Sequence, residues 1–479
     1  MKSKNQPNSP FFTWCAALRQ QRIRRFHFIG IGGAGMCGLA ELVHGLGFDV
    51  SGSDQQHSVV LTRLSGQGIV THIGHNAEHC TGVDVVVMST AISANNPELI
   101  YAQQHHIPIL RRGELLGELM RYHYAISVCG SHGKTTTSSL MACVFLAANT
   151  DPTASIGGRV EQWNTNTHLG DGQYFIAEAD ESDATMLHQN PTVVVVNNVD
   201  ADHMDTYGQD LNLLHQTFIH FIEKVPFYGV AIVGIDDPGI QAMIPKITVP
   251  KLTFGFAEQA DVRATHLRAD GWQTHFVVHY RQQLSFEVTL NLPGKHNVLN
   301  ALGVIAAALF CGLDRVHIQA ALMHFQGVHR RNQFYGELPY AGRTIALIDD
   351  YGHHPAEISA TLQALRAVWP ARRLVLIYQL HRYTRTRDLL VDFIRELSQA
   401  DQVVLMDIYA ASEAPLEGVN ANSILSHLPK TAYYAPKAED VMALLPTMLK
   451  AGDVLVVMGA GDIAVLPKQI HEWIKQGAK

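Results

Sequence analysis

Gly130-Ser131-His132-Gly133-Lys134-Thr135-Thr136-Thr137 follows a short apolar run, Tyr124-Ala-Ile-Ser-Val-Cys129, and precedes a helix-like run from Ser138 to Ala148. Strand, glycine loop, helix is the order that a phosphate-binding loop requires. Glycines let backbone N–H groups close on phosphate oxygens, and the helix that follows presents its positive end to them. Lys134 is the point charge for the outer phosphates, and the Thr135 hydroxyl is suited to Mg2+. The usual pattern carries a glycine five residues before Gly133, where this chain has Val128, so the loop is a variant type. The alternative is a glycine-rich turn with no ligand.

Around this loop the chain is long, 479 residues, which predicts about three domains. A composition of 47% hydrophobic and 16% charged residues is that of a soluble globular protein. The net charge of -7 argues against a general nucleic-acid binder, which carries a basic face. Six cysteines with no Cys-x-x-Cys pair read as reduced thiols and a cytoplasmic setting. The apolar patch Phe11 to Leu18 is followed by basic residues rather than a cleavage site, and no run reaches the roughly 20 apolar residues of a spanning helix, so no membrane is expected.

Three segments each alternate apolar strands with helices, the signature of doubly wound α/β domains. The expected fold class is therefore α/β with three domains, each on a mainly parallel sheet: a Rossmann-like domain over residues 1–123 with residues 1–24 as an extension, a phosphate-loop ATPase domain over 124–333, and a second Rossmann-like domain over 334–479. Near-continuous apolar strands such as Thr344 to Asp350, Arg373 to Tyr378 and Asp453 to Gly459 demand a sheet covered on both faces. Between Ile247 and Leu292 the pattern turns polar and alternating, which predicts a small antiparallel sheet in the central domain.

Gly30-x-Gly32-x-x-Gly35 opens a helix, and Asp54 ends the next strand. By spacing this turn holds a pyrophosphate, a dinucleotide or no ligand at all. Glu178-Ala-Asp-Glu-Ser-Asp183 and Asp202-His203-Met-Asp205 leave strand ends. Carboxylates there suit Mg2+ beside a phosphate loop, or form a solvated turn; His203 reads equally as a metal contact or a loop hydrogen-bonding residue. Asn297 and Asn300 lie at i,i+3 on the first turn of an apolar helix, to cap it or to reach a purine. Asp349-Asp350-Tyr351-Gly-His353-His354-Pro355 and His381-Arg382-Tyr-Thr-Arg385 leave two further strands; an arginine pair clamps a carboxylate or phosphate, or forms a solvated face.

In this order, from about Arg24 to the end, these stretches resemble the Mur ligases, in particular the branch that adds alanine. The resemblance implies an enzyme that uses ATP to join L-alanine to the lactyl carboxylate of UDP-N-acetylmuramate, in peptidoglycan precursor synthesis. The carboxylate would take the γ-phosphoryl group and the alanine amine would attack the acyl phosphate, releasing phosphate and ADP. The resemblance places Gly130, Ser131, His132, Gly133, Lys134, Thr135, Thr136 and Asp350 on ATP, with Asn297 and Asn300 on its adenine side. Thr135, Glu178 and His203 would ligate Mg2+, His203 a second ion. Gly32, Gly33, Ala34, Gly35 and Met36 would wrap the UDP diphosphate, with Asp54, Ser89 and Ile92 near the uridine. Tyr351, His353, Arg382 and Arg385 would receive alanine, so that Lys134, Glu178, His203, Arg382 and Arg385 form the catalytic set.

Ser131, Cys37 and Leu380 depart from the threonine, serine and proline common in the family. The stretch Leu214 to Ile222 has no lysine, unlike relatives that carry a carbamylated one there. No nucleic acid or membrane partner is expected, and the chain is expected as a monomer or homodimer. The competing readings are a murein tripeptide ligase on the same UDP-sugar, a non-catalytic UDP-sugar or nucleotide sensor, and an NAD-dependent oxidoreductase.

Overall fold

The computed structural model describes residues 10–182, 184–202, 204–281, 283–411, 413–428 and 432–477. They group into two compact units. One comprises Met1–His266, Phe276–Thr289 and Leu299–Gln326; the other comprises Leu267–His275, Leu290–Val298 and Gly327–Lys479.

The first unit opens with α1 (Pro10–Gln20). The apolar patch of the sequence is thus an amphipathic helix, with Phe11, Trp14 and Cys15 buried. Trp14 meets Phe48 edge-on at 5.5 Å, and Phe26 meets Phe48 in the same way at 5.4 Å. Then follow β1 (Arg25–Ile29), α2 (Ala34–Gly45), β2 (Asp49–Asp54), α3 (Val59–Gly66), β3 (Val70–Ile73), β4 (Val85–Met88), α4 (Pro97–Gln104), β5 (Ile109–Arg111) and α5 (Arg112–Met120). The strands form a parallel sheet in the order β3-β2-β1-β4-β5. The chain reverses direction across the sheet between β1 and β4, which opens a crevice at their carboxyl ends.

The central sheet starts at β6 (Tyr124–Cys129), the strand before the phosphate loop, and α6 (Lys134–Ala147) follows the loop directly. Next come β7 (Thr153–Val160), β8 (Thr165–His168), β9 (Tyr174–Glu178), β10 (Val193–Val196), α7 (Leu211–Ile222), β11 (Val230–Gly234), α8 (Pro238–Met243), β12 (Lys251–Gly255), β13 (Val262–Asp270), β14 (Gln273–Tyr280), β15 (Leu284–Leu290), α9 (Lys295–Phe310) and α10 (Arg315–Met323). The sheet order is β15-β14-β13-β12-β11-β10-β6-β9-β7-β8. Its centre is parallel, and β8 pairs antiparallel with β7. The polar segment between Ile247 and Leu292 continues the edge of this sheet as β12 to β15, where two residues join β13 to β14, a connection only antiparallel neighbours permit. β10 is Val193-Val-Val-Val196, fully buried, as a strand covered on both faces must be.

The second unit carries β16 (Gln333–Tyr340), β17 (Arg343–Asp350), α11 (Pro355–Val368), β18 (Leu374–His381), α12 (Tyr383–Asp388), α13 (Leu390–Leu397), β19 (Gln402–Tyr409), α14 (Ala421–Leu425), β20 (Tyr433–Tyr434), α15 (Ala438–Met448), β21 (Val454–Met458) and α16 (Leu466–Lys475). The order is β16-β17-β21-β18-β19-β20, parallel except for β16 at one edge. One core lies on each face, the first around Ile348, Tyr378 and Phe393, the second around Leu347, Ile377 and Ile470.

Candidate active site

Gly133 stands at φ 79° and Gly130 at φ 126°, left-handed conformations that favour glycine. Space also demands glycine here. A Cβ on Gly130 would lie 2.8 Å from Asn198 O, and one on Gly133 would lie 2.5 Å from Asn300 Oδ1 and 3.0 Å from Asn197 Nδ2. Two asparagines after β10 hold the loop: His132 N–H donates to Asn198 Oδ1 at 2.8 Å, and Asn197 Nδ2 donates to Thr137 Oγ1 at 3.0 Å and to His132 O at 3.2 Å. Ser131 adds a reciprocal pair, accepting from Asp200 N at 2.8 Å and donating to Asp200 O at 3.2 Å. Asn300 thus sits against the phosphate loop itself, one turn into α9.

The Lys134 ammonium donates to Gly130 O at 2.8 Å and to both carboxylate oxygens of Glu181 at 2.8 Å. Burial opposes its charge, but Glu181, Asp180 and Glu178 outweigh burial and raise its pKa. The Thr135 hydroxyl donates to Glu178 Oε2 at 3.3 Å, while Ser138 Oγ and Gly157 N donate to Glu178 Oε1 at 3.0 and 2.7 Å. Thr135 and Glu178 therefore form an oxygen-only donor set beside Lys134, the chemistry a hard divalent cation takes. Thr136 follows Thr135 on the first turn of α6. His203 lies outside the described residues.

In the first sheet the glycine turn leaves β1 with Gly30 at φ 80°, and Gly30 N donates to Ser53 O at 2.8 Å. Gly32 N donates to Asp54 Oδ2 at 2.9 Å, where a Cβ on Gly32 would collide with that carboxylate. Gly33 precedes α2 as its cap, Ala34 and Gly35 open the helix, and the Met36 side chain turns into the core. Ser89 and Ile92 lie across the crevice: a Cβ on Gly30 would be 3.4 Å from each. The predicted diphosphate residues are thus together in space and contain no cation.

In the second unit Asp350 ends β17 and accepts from Asn332 N and Gly352 N, both at 2.7 Å; burial pushes its carboxyl up to about 6. Tyr351 meets His353 edge-on at 5.5 Å, and the Arg331 guanidinium lies 4.9 Å from the Tyr351 ring centroid. His353 lies 5.3 Å from His381, whose ring stacks on Tyr409 at 5.6 Å. Arg385 is buried with Nη1 3.3 Å from His381 Nδ1. Arg382 caps α12 at φ 70°, a strained conformation for a residue with a side chain, and its guanidinium is 3.9 Å from Glu413. Tyr351, His353, Arg382 and Arg385 are thus gathered around His381. Asn297, the other predicted purine contact, donates from Nδ2 to Pro293 O at 2.8 Å.

Sequence reasoning missed four residues that the structure brings to these sites: Glu181, Asn197, Asn198 and Arg112. Arg112 carried a readable signal, since a cation at the first position of a helix opposes the helix dipole and needs an outside partner. Glu181 had none, because one carboxylate in an acidic run cannot be told from its neighbours.

The model of the Mur ligase middle domain matches residues 128–308, that of the Mur ligase family catalytic domain matches 25–124, and that of the Mur ligase glutamate ligase domain matches 330–461. The fold is similar to UDP-N-acetylmuramate-alanine ligase MurC from Thermotoga maritima, with 27% identity and a TM-score of 0.81 over 95% of this chain and 100% of that one. A murein peptide ligase from Psychrobacter arcticus is 25% identical, TM-score 0.70, over 94% of this chain and 98% of its own. The UDP-N-acetylmuramate:L-alanyl-gamma-D-glutamyl-meso-diaminopimelate ligase from Neisseria meningitides is 30% identical, TM-score 0.60, over 64% of this chain and 100% of its own.

Proposed function

Because this chain belongs to the Mur ligase family of ATP-dependent ligases in peptidoglycan precursor synthesis, we propose that it joins L-alanine to the lactyl carboxylate of UDP-N-acetylmuramate. In this reading residues 1–123 bind the UDP-sugar, 124–333 bind ATP and 334–479 bind the amino acid. A lactyl carboxylate oxygen attacks the γ-phosphorus and the bond to the bridging oxygen of ADP breaks. The alanine nitrogen then attacks the acyl carbon, the carbon–oxygen bond to phosphate breaks, and the amine gives up a proton.

Two anions meet in the first step, so fixed cations must suppress their repulsion. Lys134 leaves Glu181 for the β- and γ-phosphates, and the loop N–H groups from Gly130 to Thr136 close on their oxygens. Thr135 and Glu178 would hold Mg2+, which when bound neutralises charge on the phosphates. His203 is assigned to a second ion. Gly32 to Met36 receive the diphosphate, Asp54, Ser89 and Ile92 the uridine side, and Asn297, Asn300 and Asp350 the ATP side. Arg382 or Arg385 pairs with the alanine carboxylate, and Tyr351 and His353 line that pocket.

The observation that supports alanine over a tripeptide is the likeness to the alanine ligase, whose TM-score of 0.81 over 95% of the chain exceeds the 0.70 over 94% of the chain for the Psychrobacter arcticus peptide ligase. Phosphate release with UDP-N-acetylmuramate, MgATP and either L-alanine or the tripeptide tests it. Alanine-dependent turnover is expected; turnover with the tripeptide alone moves the assignment to the peptide ligases.

A further inference from the structure

A cation beside the glycine turn would add to what its backbone N–H groups offer a diphosphate, and the turn itself has none. Arg112 of α5 lies against it. A Cβ on Gly35 would lie 2.9 Å from Arg112 Cδ, 3.1 Å from Nη1 and 3.3 Å from Nε, so the missing side chain at Gly35 is filled by the guanidinium. Its other edge faces the central sheet: Nη2 donates to Thr185 Oγ1 at 3.3 Å and lies 3.9 Å from Asp180 Oδ2. One planar group is therefore shared between the first turn of α2 and the acidic loop that follows β9.

The seam that holds it is tight. A Cβ on Gly113 would lie 2.7 Å from Thr185 Cβ, and one on Gly117, a turn later, would strike His188 O. These two glycines let α5 lie directly on the Thr185–His188 turn. Asn166 on β8 donates from Nδ2 to Ala34 O at 2.7 Å, fastening the start of α2 to the central sheet from another side. The acidic loop in turn carries Glu181, which grips Lys134.

We propose that Arg112 binds the diphosphate of the UDP-sugar through its Nε and Nη1 edge while Nη2 keeps Thr185 and Asp180, so that filling the sugar-nucleotide turn is felt at the side chains beside the ATP site. A guanidinium has donors enough to serve both sides in one plane, which an ammonium lacks. Binding at the two sites is then coupled, each ligand changing the affinity of the other by the same factor. The inference rests on the reading of Gly32 to Met36 as the diphosphate site.

Calorimetric titration with UDP, and with MgADP in the presence and absence of saturating UDP, tests it on wild type, Arg112→Gln, Arg112→Lys and Thr185→Val. Arg112→Gln is expected to weaken UDP on the order of 10-fold or more, and Arg112→Lys to recover part of that loss. In wild type, saturating UDP is expected to change the MgADP affinity roughly 5-fold or more. Thr185→Val is expected to keep UDP binding and reduce that change, and with Arg112→Lys it carries the test should Arg112→Gln fail to fold. Equal UDP affinity in Arg112→Gln and wild type, or MgADP affinity indifferent to UDP in wild type, overturns the inference while leaving the family function intact. Wild-type protein that binds MgADP but no UDP overturns both this inference and the reading of the turn.

Discussion

Glu181 holds the Lys134 ammonium through both of its carboxylate oxygens, each at 2.8 Å, with its side chain 1% exposed. Under the proposed function the outer phosphates of a bound nucleotide take the place of this carboxylate on the lysine. Glu181→Gln keeps the shape and removes the competing charge. MgADP is expected to bind roughly 5-fold more tightly, a gain of about 1 kcal/mol. Titration of the purified variant checks this, and unchanged affinity would mean that Glu181 does not compete.

The same pair sets a stability effect distinct from catalysis. Lys134→Ala strands a buried carboxylate and is expected to lower stability by about 3–5 kcal/mol. The double variant Lys134→Met, Glu181→Leu removes both charges and is expected to regain most of that loss while alanine-dependent phosphate release stays absent. Denaturant unfolding and turnover assays on both proteins separate the two effects; a single variant as stable as wild type would contradict the buried pair.

Glu178 accepts hydrogen bonds from Thr135, Ser138 and Gly157, so Glu178→Gln retains an acceptor but loses the charge proposed for the metal site. Turnover is expected to fall on the order of 100-fold or more. Half-saturating Mg2+ should rise with it. A variant whose turnover and Mg2+ requirement match wild type would remove Glu178 from the metal site.

Arg382 and Arg385 can be told apart by their backbones. Arg385→Gln is expected to raise the KM for alanine on the order of 10-fold, with the KM for ATP nearly unchanged. Arg382→Gly also removes a guanidinium but relieves the positive φ of 70°, so its stability should equal or exceed that of wild type by about 1 kcal/mol. Steady-state kinetics with thermal unfolding checks both. Destabilisation by Arg382→Gly would show that its side-chain contacts outweigh the strain.

His123 packs edge-on against Phe11 at 4.3 Å and Phe175 at 5.3 Å, and burial lowers its pKa from 6.5 to about 4. The folded protein thus resists a proton that the unfolded chain accepts. The stability this gives is present above pH 6.5 and is lost as pH falls from 6.5 toward 4, about 3 kcal/mol over the window. His123→Phe should flatten the profile there by that amount relative to wild type. Parallel profiles for the two proteins would place the acid sensitivity elsewhere.

Most of the local architecture was legible in the sequence. The order of apolar strands and glycine turns located β1, β6, β17, β18, β19 and β21, because strand periodicity and positive-φ glycines act within a few residues. Helix α6 begins at Lys134 rather than Ser138, since a phosphate loop feeds its lysine straight into the first turn. Polar alternation between Ile247 and Leu292 predicted a small antiparallel sheet; instead β12 to β15 extend the edge of the central sheet, β12 and β13 joining it in parallel, because a strand pattern does not specify its pairing partner. What the apolar patch at Phe11 to Leu18 covers was not readable in the sequence; the core around Trp14 and Phe48 shows it.

The sequence by itself determined the candidate phosphate loop: the glycines at 130 and 133, Lys134 and Thr135 lie close together in one short stretch, and backbone geometry alone brings them together. Tertiary structure decided their partners. Glu181 reaches Lys134 across 47 positions, and Thr185 reaches Arg112 across 73, because β6 lies between β9 and β10 and because Gly113 and Gly117 let α5 settle on the turn after β9. Strand order and close helix contact are properties of the whole packed chain, so no short stretch of sequence could have fixed them.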